Sequence, residues 1–411
     1  MKEQEFAIDF PTEIVTEGKA HVSVPKLSAF KAQPSDYAPS KAPVFYNPVM
    51  ELNRDIAILA FRAYQRKVNR TIKVCEPLTS SGIRAVRIAA EIQGIRQVVA
   101  CDINKRAYQL TKRNVLTNGL ETCITVKHMD ANCLLSSYSA PRKRFDIVDV
   151  DPFGSPVPYL DSALRALRNH GVLALTATDL APLCGVHSKA CIRKYGGKPL
   201  RTEYCHELAI RLLAGCVVAT AAKHDIGVHV LFSHSADHYI RVYAEIDYGA
   251  KKADSSIVRM GYILHCFNCL HRETTQNPFD LRMEKCPECG SKMDWSGPLW
   301  LGKIFNKNFC KLMAQENEHV ALRLSLKISN LLALAIEEAD APATYYVLDK
   351  ISNKLSLPVP SISAMRRILV YSSFQSFSTH FNSRGVRTNA SALTMQELLR
   401  NIAATKENAC T

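Results

Sequence analysis

The sequence predicts an α/β protein with a doubly wound, mostly parallel sheet that ends in an antiparallel pair of strands, followed by a smaller α+β region. Three observations support this fold. From residue 49 onward, short apolar or β-branched runs alternate with segments of helical periodicity. Acidic residues close three of these runs, at the ends where such sheets bind ligands. The runs 228–233 and 239–246 have no helix between them, which is typical of an antiparallel pair.

Each element of the sheet region is assigned from its own pattern. Apolar residues at helical spacing predict helices over 49–68, 83–92 and 104–118. Asn104 is a suitable cap for the third of these helices, and Gly119 is its expected stop. Short apolar runs predict parallel strands over 71–75, 97–101, 124–128, 145–150 and 171–176. Strands that alternate with helices in this way form a sheet with helices on both faces.

The C-terminal region has a different organisation. Helical periodicity predicts helices over 320–336, 343–355 and 361–370, and prolines at 358 and 360 separate the last two. Two helices joined by a turn, with Arg366 and Arg367 on the second, predict a small winged-helix-like unit. We therefore divide the chain into an N-terminal extension over 1–48, a sheet domain over 49–250 and a C-terminal domain over 251–411.

Composition narrows the possible functions. The chain has 411 residues, of which 47% are hydrophobic and 22% charged, so a disordered protein is excluded. The net charge of +14, concentrated in 51–150 and 351–411, favours a polyanionic partner, although scattered solvated charge gives the same total. The longest apolar stretch, 208–222, is shorter than a membrane span and contains Arg211. The N-terminus lacks a signal-peptide pattern, and we expect a cytoplasmic protein with no membrane contact.

Three aspartates mark the expected ligand site. Asp102, Asp130 and Asp151 each follow a predicted strand, so their side chains should meet at one edge of the sheet, although a single one could be a helix cap. The first turn has only Gly82 and lacks the GxGxxG pattern of dinucleotide sites. S-adenosylmethionine fits this pattern, because it has a ribose for Asp102 but no phosphate. Its carboxylate needs a basic clamp, for which Arg54 or Arg84 is suitable.

The four residues Asp-Pro-Phe-Gly at 151–154 indicate transfer to an amine. They resemble the catalytic motif of methyltransferases that act on amino groups of bases. An exocyclic amine on a base is a poor nucleophile. The Asp151 carboxylate could accept a hydrogen bond from its N–H group and then take its proton. Phe153 could stack on an extruded base, and Pro152 stiffens the loop. The motif alone leaves open an amino-methyltransferase for DNA or for protein glutamine.

Longer blocks resemble the tRNA guanine-26 N2-dimethyltransferase family over about residues 10–395. They include FYNPVMELNRDIA at 45–57, SSGIRAVRIAAEI at 80–92, DVDPFGSPVPYLDSA at 149–163 and STHFNSRGVRTNA at 378–390. The resemblance implies a class I methyltransferase domain and transfer of two methyl groups to the exocyclic amine of a tRNA guanine. It implies the following cofactor contacts: Arg54, Arg84, Asp102, Asp130 and Ala131. It also implies a catalytic loop of Asp151, Pro152 and Phe153, with Phe45 near the target base.

Four cysteines form a separate motif. Cys266, Cys269, Cys286 and Cys289 make two CxxC pairs separated by 16 residues, a spacing typical of zinc ribbons. Four thiolates complete a tetrahedron, so we predict a structural zinc site within a ribbon over 262–292. Redox pairs or chance spacing are the alternatives. The flanking His265 is expected to face solvent.

Two basic groups are expected to contact RNA phosphates. The first comprises Arg366, Arg367, Arg384 and Arg387, which lie near several phenylalanines, and the second comprises Lys189, Arg193, Lys194, Lys198 and Arg201. An ordinary core with a solvated basic face is the alternative for the first group. A non-catalytic zinc-containing RNA-binding protein is the alternative for the whole chain. The family resemblance implies tRNA as partner, and no obligate protein partner is inferred.

Overall fold

The computed structural model describes residues 8–408 apart from 32, 34–37, 278 and 280–284. The described part begins with an antiparallel hairpin of β1 (Thr12–Glu17) and β2 (Ala20–Pro25), followed by a short helix α1 (Ala38–Lys41). The hairpin is anchored to the next region by Asn114, whose Nδ2 donates to the Ser23 carbonyl oxygen at 2.9 Å. The predicted N-terminal extension over 1–48 therefore packs on the sheet domain where it is described.

A seven-stranded sheet forms the centre of the molecule. Its strands are β3 (Ile72–Glu76), β4 (Ile95–Asp102), β5 (Ile124–His128), β6 (Phe145–Val150), β7 (Leu167–Ala177), β8 (Ile226–Ala236) and β9 (Tyr239–Tyr248). The spatial order is β5-β4-β3-β6-β7-β9-β8. Strands β3 to β7 pair in parallel, and β9 lies antiparallel between β7 and β8. The predicted doubly wound sheet with a terminal antiparallel pair is confirmed.

Helices cover both faces of this sheet. They are α2 (Glu51–Val68), α3 (Ile83–Glu91), α4 (Lys105–Thr117), α5 (Ala131–Ser137), α6 (Leu160–Ala166), α7 (Leu180–Leu183), α8 (Ser188–Tyr195), α9 (Cys205–Ala222) and α10 (Ala250–Ile257). Because β4 lies on one side of β3 and β6 on the other, the strand order reverses between β3 and β6. Crevices for ligands form at such a reversal, beyond the carboxyl ends of the strands.

Helix α9 is the one helix among the described residues that is long and apolar enough to cross a membrane, and most of it is buried here. A Cβ at Gly215 would lie 3.1 Å from Leu299 Cα, so the helix packs closely on the neighbouring strand. The guanidinium of Arg211, which interrupts the apolar stretch, donates to the Trp300 carbonyl oxygen at 3.0 Å. Burial within the protein core accounts for the apolar composition of the helix.

A small antiparallel sheet follows, made of β10 (Met260–His265), β11 (Arg272–Thr275) and β12 (Asp294–Trp300) in the order β11-β10-β12. It contains the two CxxC turns. Part of the segment predicted as a ribbon lies outside the described residues, namely 278 and 280–284. His265 is fully buried and its Nδ1 lies 3.0 Å from the Tyr204 hydroxyl, so the expectation that it faces solvent is wrong. The rings of Tyr204 and Phe267 lie against His265, with centroids 5.5 and 4.6 Å from that of its imidazole.

The remaining elements are α11 (Lys307–His319), α12 (Ser325–Glu338), β13 (Tyr346–Val347), α13 (Leu348–Leu355), α14 (Ile362–Tyr371), β14 (Phe377–Ser378), β15 (Gly385–Arg387) and α15 (Ala392–Asn408). Helices α11 and α12 contribute to the same continuous core as the large sheet, whereas Tyr346 and most of the buried apolar residues from Leu348 onward form a second, smaller core. Residues on both sides of 250 share the first core, and the domain limits remain a prediction.

One predicted helix begins later than expected. The periodicity over 343–355 predicts a helix, but residues before Leu348 are extended and Tyr346 pairs with Val386 of β15. Thr344 has a φ of 66°, which is incompatible with a helix at that point. Aromatic and β-branched residues at 345–347 favour a strand once a partner strand is available, and only the tertiary fold supplies that partner.

Candidate functional site

The carboxyl ends of the parallel strands surround a cavity of about 650 Å³. Its lining includes most of the predicted site residues: Phe45, Arg54, Arg84, Asp102, Asp151, Pro152 and Phe153. It also includes Glu76 at the end of β3 and Thr178 just beyond β7. The cavity therefore lies where the strand order reverses, as the sheet topology predicts.

Asp102 ends β4 and is fixed by the backbone around it. One carboxylate oxygen accepts the Ser80 N–H at 2.9 Å, and the other accepts the Asn104 N–H at 2.9 Å. Burial raises the pKa of Asp102, while these backbone hydrogen bonds oppose the rise. Gly82, with a φ of 75°, allows the turn beside it to approach α4, because a Cβ there would lie 2.6 Å from the Thr111 methyl group. Asp102 is thus a rigid acceptor on the cavity wall.

Asp151 follows β6 and makes an ion pair with the buried guanidinium of Arg84. Its side chain is 18% exposed, so it meets both the protein interior and the cavity. Burial alone would raise the pKa of Asp151, but the nearby Arg84 and Arg241 hold it below the usual value. The group is therefore a carboxylate at neutral pH and can accept a hydrogen bond from a ligand.

Arg84 is surrounded by acceptors. Its Nη2 donates to Asn53 Oδ1 at 2.8 Å, and its Nη1 lies 3.4 Å from Asp149 Oδ2. Burial would lower the pKa of Arg84, but the carboxylates of Asp149 and Asp151 raise it. Nη1 is buried and makes no hydrogen bond within the described chain, and its ion-pair partner is the Asp149 carboxylate.

Arg241 is a second buried arginine beside Asp149. Its guanidinium is fully buried, and Nη2 donates to Asp149 Oδ1 at 2.7 Å. We call the buried group of Glu76, Arg84, Asp149, Asp151 and Arg241 the cleft cluster. It contains three carboxylates and two guanidiniums.

Glu76 is the cluster member with the most perturbed carboxyl group. It is 3% exposed, accepts the Thr79 hydroxyl at 2.7 Å, and lies 3.5 Å from Arg84 Nε. Burial raises its pKa to about 8, and the nearby Arg84 opposes that rise. Glu76 is not among the site residues predicted from the sequence, although it ends β3 just as the predicted Asp102 ends β4.

Arg54 faces the cavity but already has a carboxylate partner. Its Nε donates to Glu17 Oε2 at 2.7 Å, and its Nη2 donates to the Asn47 carbonyl oxygen at 3.2 Å. The Glu17 carboxylate comes from the N-terminal hairpin, and it is also 3.1 Å from the Tyr46 hydroxyl that donates to it. The predicted role of Arg54 in holding a cofactor remains a prediction.

Two aromatic rings lie at the cavity wall. Phe45 and Phe153 meet edge to face, with ring centroids 4.2 Å apart. Phe153 is 64% exposed, which is unusual for a phenylalanine and leaves its ring available to a partner. Gly154 fixes the loop, because its N–H donates to the Thr178 hydroxyl at 2.7 Å and its carbonyl accepts the Thr178 N–H at 3.0 Å.

Asp130 and Ala131 occupy a different position. The Asp130 carboxylate caps α5, since one oxygen accepts the N–H groups of Asn132 and Cys133 at 2.8 and 3.0 Å. Neither Asp130 nor Ala131 belongs to the cavity lining among the described residues. The helix-cap role that a strand-end aspartate can have is present here, and the predicted cofactor contact of these two residues remains a prediction.

The four CxxC cysteines come together as a group. The Sγ atoms of Cys266 and Cys289 are 3.5 Å apart, and those of Cys269 and Cys286 are 3.4 Å apart. All four Sγ atoms lie within 4.8 Å of one another. The two turns share one backbone pattern, in which the N–H four residues on donates to the carbonyl of the first cysteine. This all-sulfur donor set fits a tetrahedral Zn²⁺ site.

The basic residues predicted to contact RNA have different environments. Arg367, Lys189, Arg193 and Arg201 are exposed. Arg387 is 2% exposed, and its guanidinium bonds to Glu207 at 2.9 Å and Glu338 at 2.8 Å, so its predicted contact with RNA is wrong. A guanidinium between two buried carboxylates has no free face for phosphate.

Arg387 belongs to a second buried group, the junction cluster of Glu207, Arg211, Glu338, His380 and Arg387. Arg211 Nε donates to Glu207 Oε1 at 2.8 Å, and His380 Nδ1 lies 2.5 Å from Glu338 Oε1. Arg387 and Arg211 hold the pKa of Glu207 at about 2 despite burial, which by itself would raise it. The cluster joins α9 to α12 and to the segment 380–387.

Fold and site together define a class I methyltransferase, with the Asp102 carboxylate at the end of β4 and an Asp-Pro-Phe loop two strands away. Residues 18–400 match the family model described as "N2,N2-dimethylguanosine tRNA methyltransferase", and the chain belongs to this family.

Similar proteins agree with this assignment. A tRNA (guanine(26)-N(2))-dimethyltransferase of Methanobrevibacter smithii is 39% identical, covering 96% of this chain and 99% of the relative. A tRNA (guanine(26)-N(2)/guanine(27)-N(2))-dimethyltransferase of Aquifex aeolicus is 38% identical, with 95% of each chain covered. The solved structure of Trm1 from Pyrococcus horikoshii with S-adenosyl-L-methionine has a TM-score of 0.82 and 32% identity, covering 94% of this chain and 99% of that one.

Proposed function

We propose that this enzyme transfers methyl groups from S-adenosylmethionine to the exocyclic amine of guanine 26 in tRNA, giving first N2-methylguanine and then N2,N2-dimethylguanine. One observation supports this chemistry most directly. A deprotonated Asp151 lies at a cavity that also presents an exposed Phe153 ring. Methyl transfer to an extruded base requires a hydrogen-bond acceptor for the amine N–H and, beside it, a surface on which the base can stack.

The charge of the cavity suits this cofactor. The cleft cluster has three carboxyl groups and two guanidiniums, and burial raises the pKa of Glu76 to about 8, so Glu76 is mostly the neutral acid at pH 7. A bound sulfonium or ammonium group would favour ionisation of Glu76. Asp102 would accept the ribose hydroxyls, and Arg84 would be the basic contact for the carboxylate of the methionine tail.

Asp151 explains why two methyl groups are added and no more. The bound cofactor supplies an electrophilic methyl group. Asp151 would accept a hydrogen bond from one N–H of the guanine amine and direct the nitrogen lone pair towards the methyl carbon. It would receive the proton as the C–N bond forms and the S–CH3 bond of the donor breaks, leaving the neutral thioether. The monomethylated amine retains one N–H for a second round. The dimethylated amine has none, so it loses this contact.

Phe153 and Phe45 hold the base. The faces of exposed rings stack on a guanine whatever its sequence context, and the edge-to-face contact with Phe45 limits rotation of Phe153. Arg84 keeps Asp151 charged and in place from inside the protein. In this scheme Arg84 is a positioning residue for Asp151 as well as a predicted cofactor contact.

The rest of the chain would bind and orient the tRNA. Zn²⁺ held by Cys266, Cys269, Cys286 and Cys289 would fix the small sheet that lies between the two basic regions. The exposed Lys189, Arg193, Arg201 and Arg367 are suitable for phosphates. This division assigns chemistry to the cavity and substrate positioning to the surface.

The function is tested with an unmodified tRNA transcript, S-adenosylmethionine and the purified chain, followed by mass spectrometry of the nucleosides. We expect N2,N2-dimethylguanine at position 26, with the monomethyl product as an earlier intermediate. A transcript with adenine at 26 should stay unmethylated unless a guanine at 27 is also a substrate, which sequencing of the product separates. Methylation of DNA or of a glutamine peptide, with unmodified tRNA, would contradict the proposal.

A further inference from the structure

A second group of metal-ligating side chains lies outside both the cavity lining and the four-cysteine site. Cys184 follows α7, and Cys205 and His206 begin α9. One ligand atom from each of these three residues lies within 4.8 Å of the others, and all three residues are partly exposed. We propose that this group binds one Zn²⁺ ion, with a fourth position open to water or to the hydroxyl of Ser235.

The distances are compatible with an ion held between the side chains. Cys184 Sγ lies 3.9 Å from His206 Nδ1, and Ser235 Oγ lies 3.4 Å from the same nitrogen. With Zn–S of about 2.3 Å and Zn–N of about 2.0–2.1 Å, a tetrahedron places sulfur and nitrogen about 3.6 Å apart. The 3.9 Å between Cys184 Sγ and His206 Nδ1 is close to this value.

The four-cysteine site provides an internal reference. Two of its Sγ–Sγ separations, 3.5 and 3.4 Å, are also slightly different from the tetrahedral edge of about 3.8 Å for two sulfurs. The new group has two sulfurs and one imidazole nitrogen, the soft and borderline donors that zinc prefers over magnesium or calcium. Binding would release the two thiol protons to solvent as both sulfurs become thiolates.

The backbone is shaped to hold Cys184 beside Cys205. Gly185 has a φ of 92°, and a Cβ there would lie 2.8 Å from the Arg201 nitrogen and 2.9 Å from the Leu200 carbonyl carbon. Only glycine permits this close approach of the loop to the segment that leads into α9. The Cys184 N–H also donates to the Leu180 carbonyl oxygen at 2.7 Å, which fixes the direction of the side chain.

The position of the group gives the ion a structural role near the cavity. Thr178, which holds the catalytic loop through Gly154, lies six residues before Cys184 in the chain. Ser235 lies three residues before His238, which lines the cavity. An ion bound by Cys184, Cys205 and His206 would therefore connect two segments. One segment leaves the carboxyl end of β7, and the other enters the β8–β9 turn.

Metal content tests the proposal independently of activity. The full chain is purified in zinc-containing buffer without chelator, and zinc per chain is measured by elemental analysis. We expect about two equivalents in the unaltered chain, and about one in either Cys205→Ser or Cys286→Ser. Cys123→Ser is the matched control, because Cys123 is also a partly buried free thiol and should leave the zinc content unchanged.

Cobalt substitution separates the two sites spectroscopically. Co²⁺ bound at the remaining site of Cys286→Ser should show fewer sulfur-to-cobalt charge-transfer contributions than Co²⁺ in Cys205→Ser, because two thiolates replace four. Circular dichroism identifies a variant that fails to fold, and His206→Ala then serves in its place. The proposal is overturned if Cys205→Ser and His206→Ala keep the zinc content of the unaltered chain, or if the unreduced protein contains a Cys184–Cys205 disulfide.

Discussion

The chain buries two clusters of arginines and carboxylates that have similar parts and different charge balance. The junction cluster pairs Glu207 and Glu338 with Arg211 and Arg387, and its carboxyl groups have lowered pKa values. The cleft cluster has one carboxylate more than its guanidiniums can match, and the pKa of Glu76 is raised to about 8. The first cluster is closed by protein on its described sides, whereas the second borders the cavity.

This difference shows how burial can serve two purposes. A balanced buried cluster is satisfied within the protein and joins elements that are distant in sequence, at a desolvation cost that its own contacts offset. A cluster with an extra carboxyl group at a cavity can hold that group as the neutral acid until a ligand adds a positive charge. The same residue types thus stabilise the packing of distant elements in the junction cluster and border a ligand cavity in the cleft cluster.

Removing the acceptor from the cleft cluster should have the largest effect. We expect Asp151→Asn to slow methyl transfer by ~10²–10⁴, because a positioned acceptor and base is lost, while cofactor affinity stays within a few-fold. Single-turnover kinetics and calorimetry measure the two quantities. Asp340→Asn, which alters an exposed carboxylate outside the cavity, is the control. An unchanged single-turnover rate in Asp151→Asn would remove Asp151 from the mechanism.

Opening the junction cluster should affect stability instead of chemistry. Arg387→Ala leaves Glu207 and Glu338 without their shared partner, and we expect a loss of about 3–5 kcal/mol in the free energy of unfolding. Denaturant unfolding followed by circular dichroism measures it. Arg367→Ala removes an exposed arginine and should change stability by less than about 0.5 kcal/mol. Equal effects of the two substitutions would mean that the junction cluster does not stabilise the fold.

Asp102 lines the cavity but belongs to neither cluster, so its substitution tests cofactor binding separately. Asp102→Ala should weaken S-adenosylmethionine binding by about 1.5–3 kcal/mol for each charged hydrogen bond lost to the ribose. Calorimetric titration is the measurement, and Asp161→Ala, at an exposed ion pair, is the control. Cofactor affinity equal to that of the unaltered chain would place the ribose elsewhere.

The smallest expected effect is the pH dependence of stability that comes from Glu76. Its pKa is about 8 in the folded chain against 4.5 for the ordinary group, so folding favours the neutral acid. The stability that this group contributes without cofactor is complete below about pH 4.5 and is lost as pH rises through about 8. Glu76→Gln should flatten this dependence, which thermal unfolding from pH 5 to 9 can follow.

Binding of a cation beside Glu76 should lower its pKa and release a proton. Calorimetry near pH 7 in buffers of different ionisation enthalpy should therefore show release of up to about one proton on S-adenosylmethionine binding, and less for Glu76→Gln. Glu121→Gln, at an exposed position, should behave like the unaltered chain. Net proton uptake on binding would contradict the charge-balance argument for the cleft cluster.

The sequence by itself determined the features that depend on neighbours along the chain. Alternating strands and helices predict the central sheet, because side-chain periodicity is a local property. Asp102 and Asp151 line one cavity as expected, since parallel strands end at a common edge. The CxxC spacing was likewise sufficient to bring four sulfurs together, because each turn is built from adjacent residues.

Only the tertiary structure decided which charges meet. Arg54 pairs with Glu17, and Arg387 pairs with Glu207, 37 and 180 residues away along the chain. A long basic side chain has many possible partners in a sequence, and burial selects among them through desolvation, which no local pattern records. The same holds for Cys184 and His206, which become neighbours only because Gly185 lets two loops touch. Local periodicity thus determines the elements, whereas their packing determines which side chains share a site.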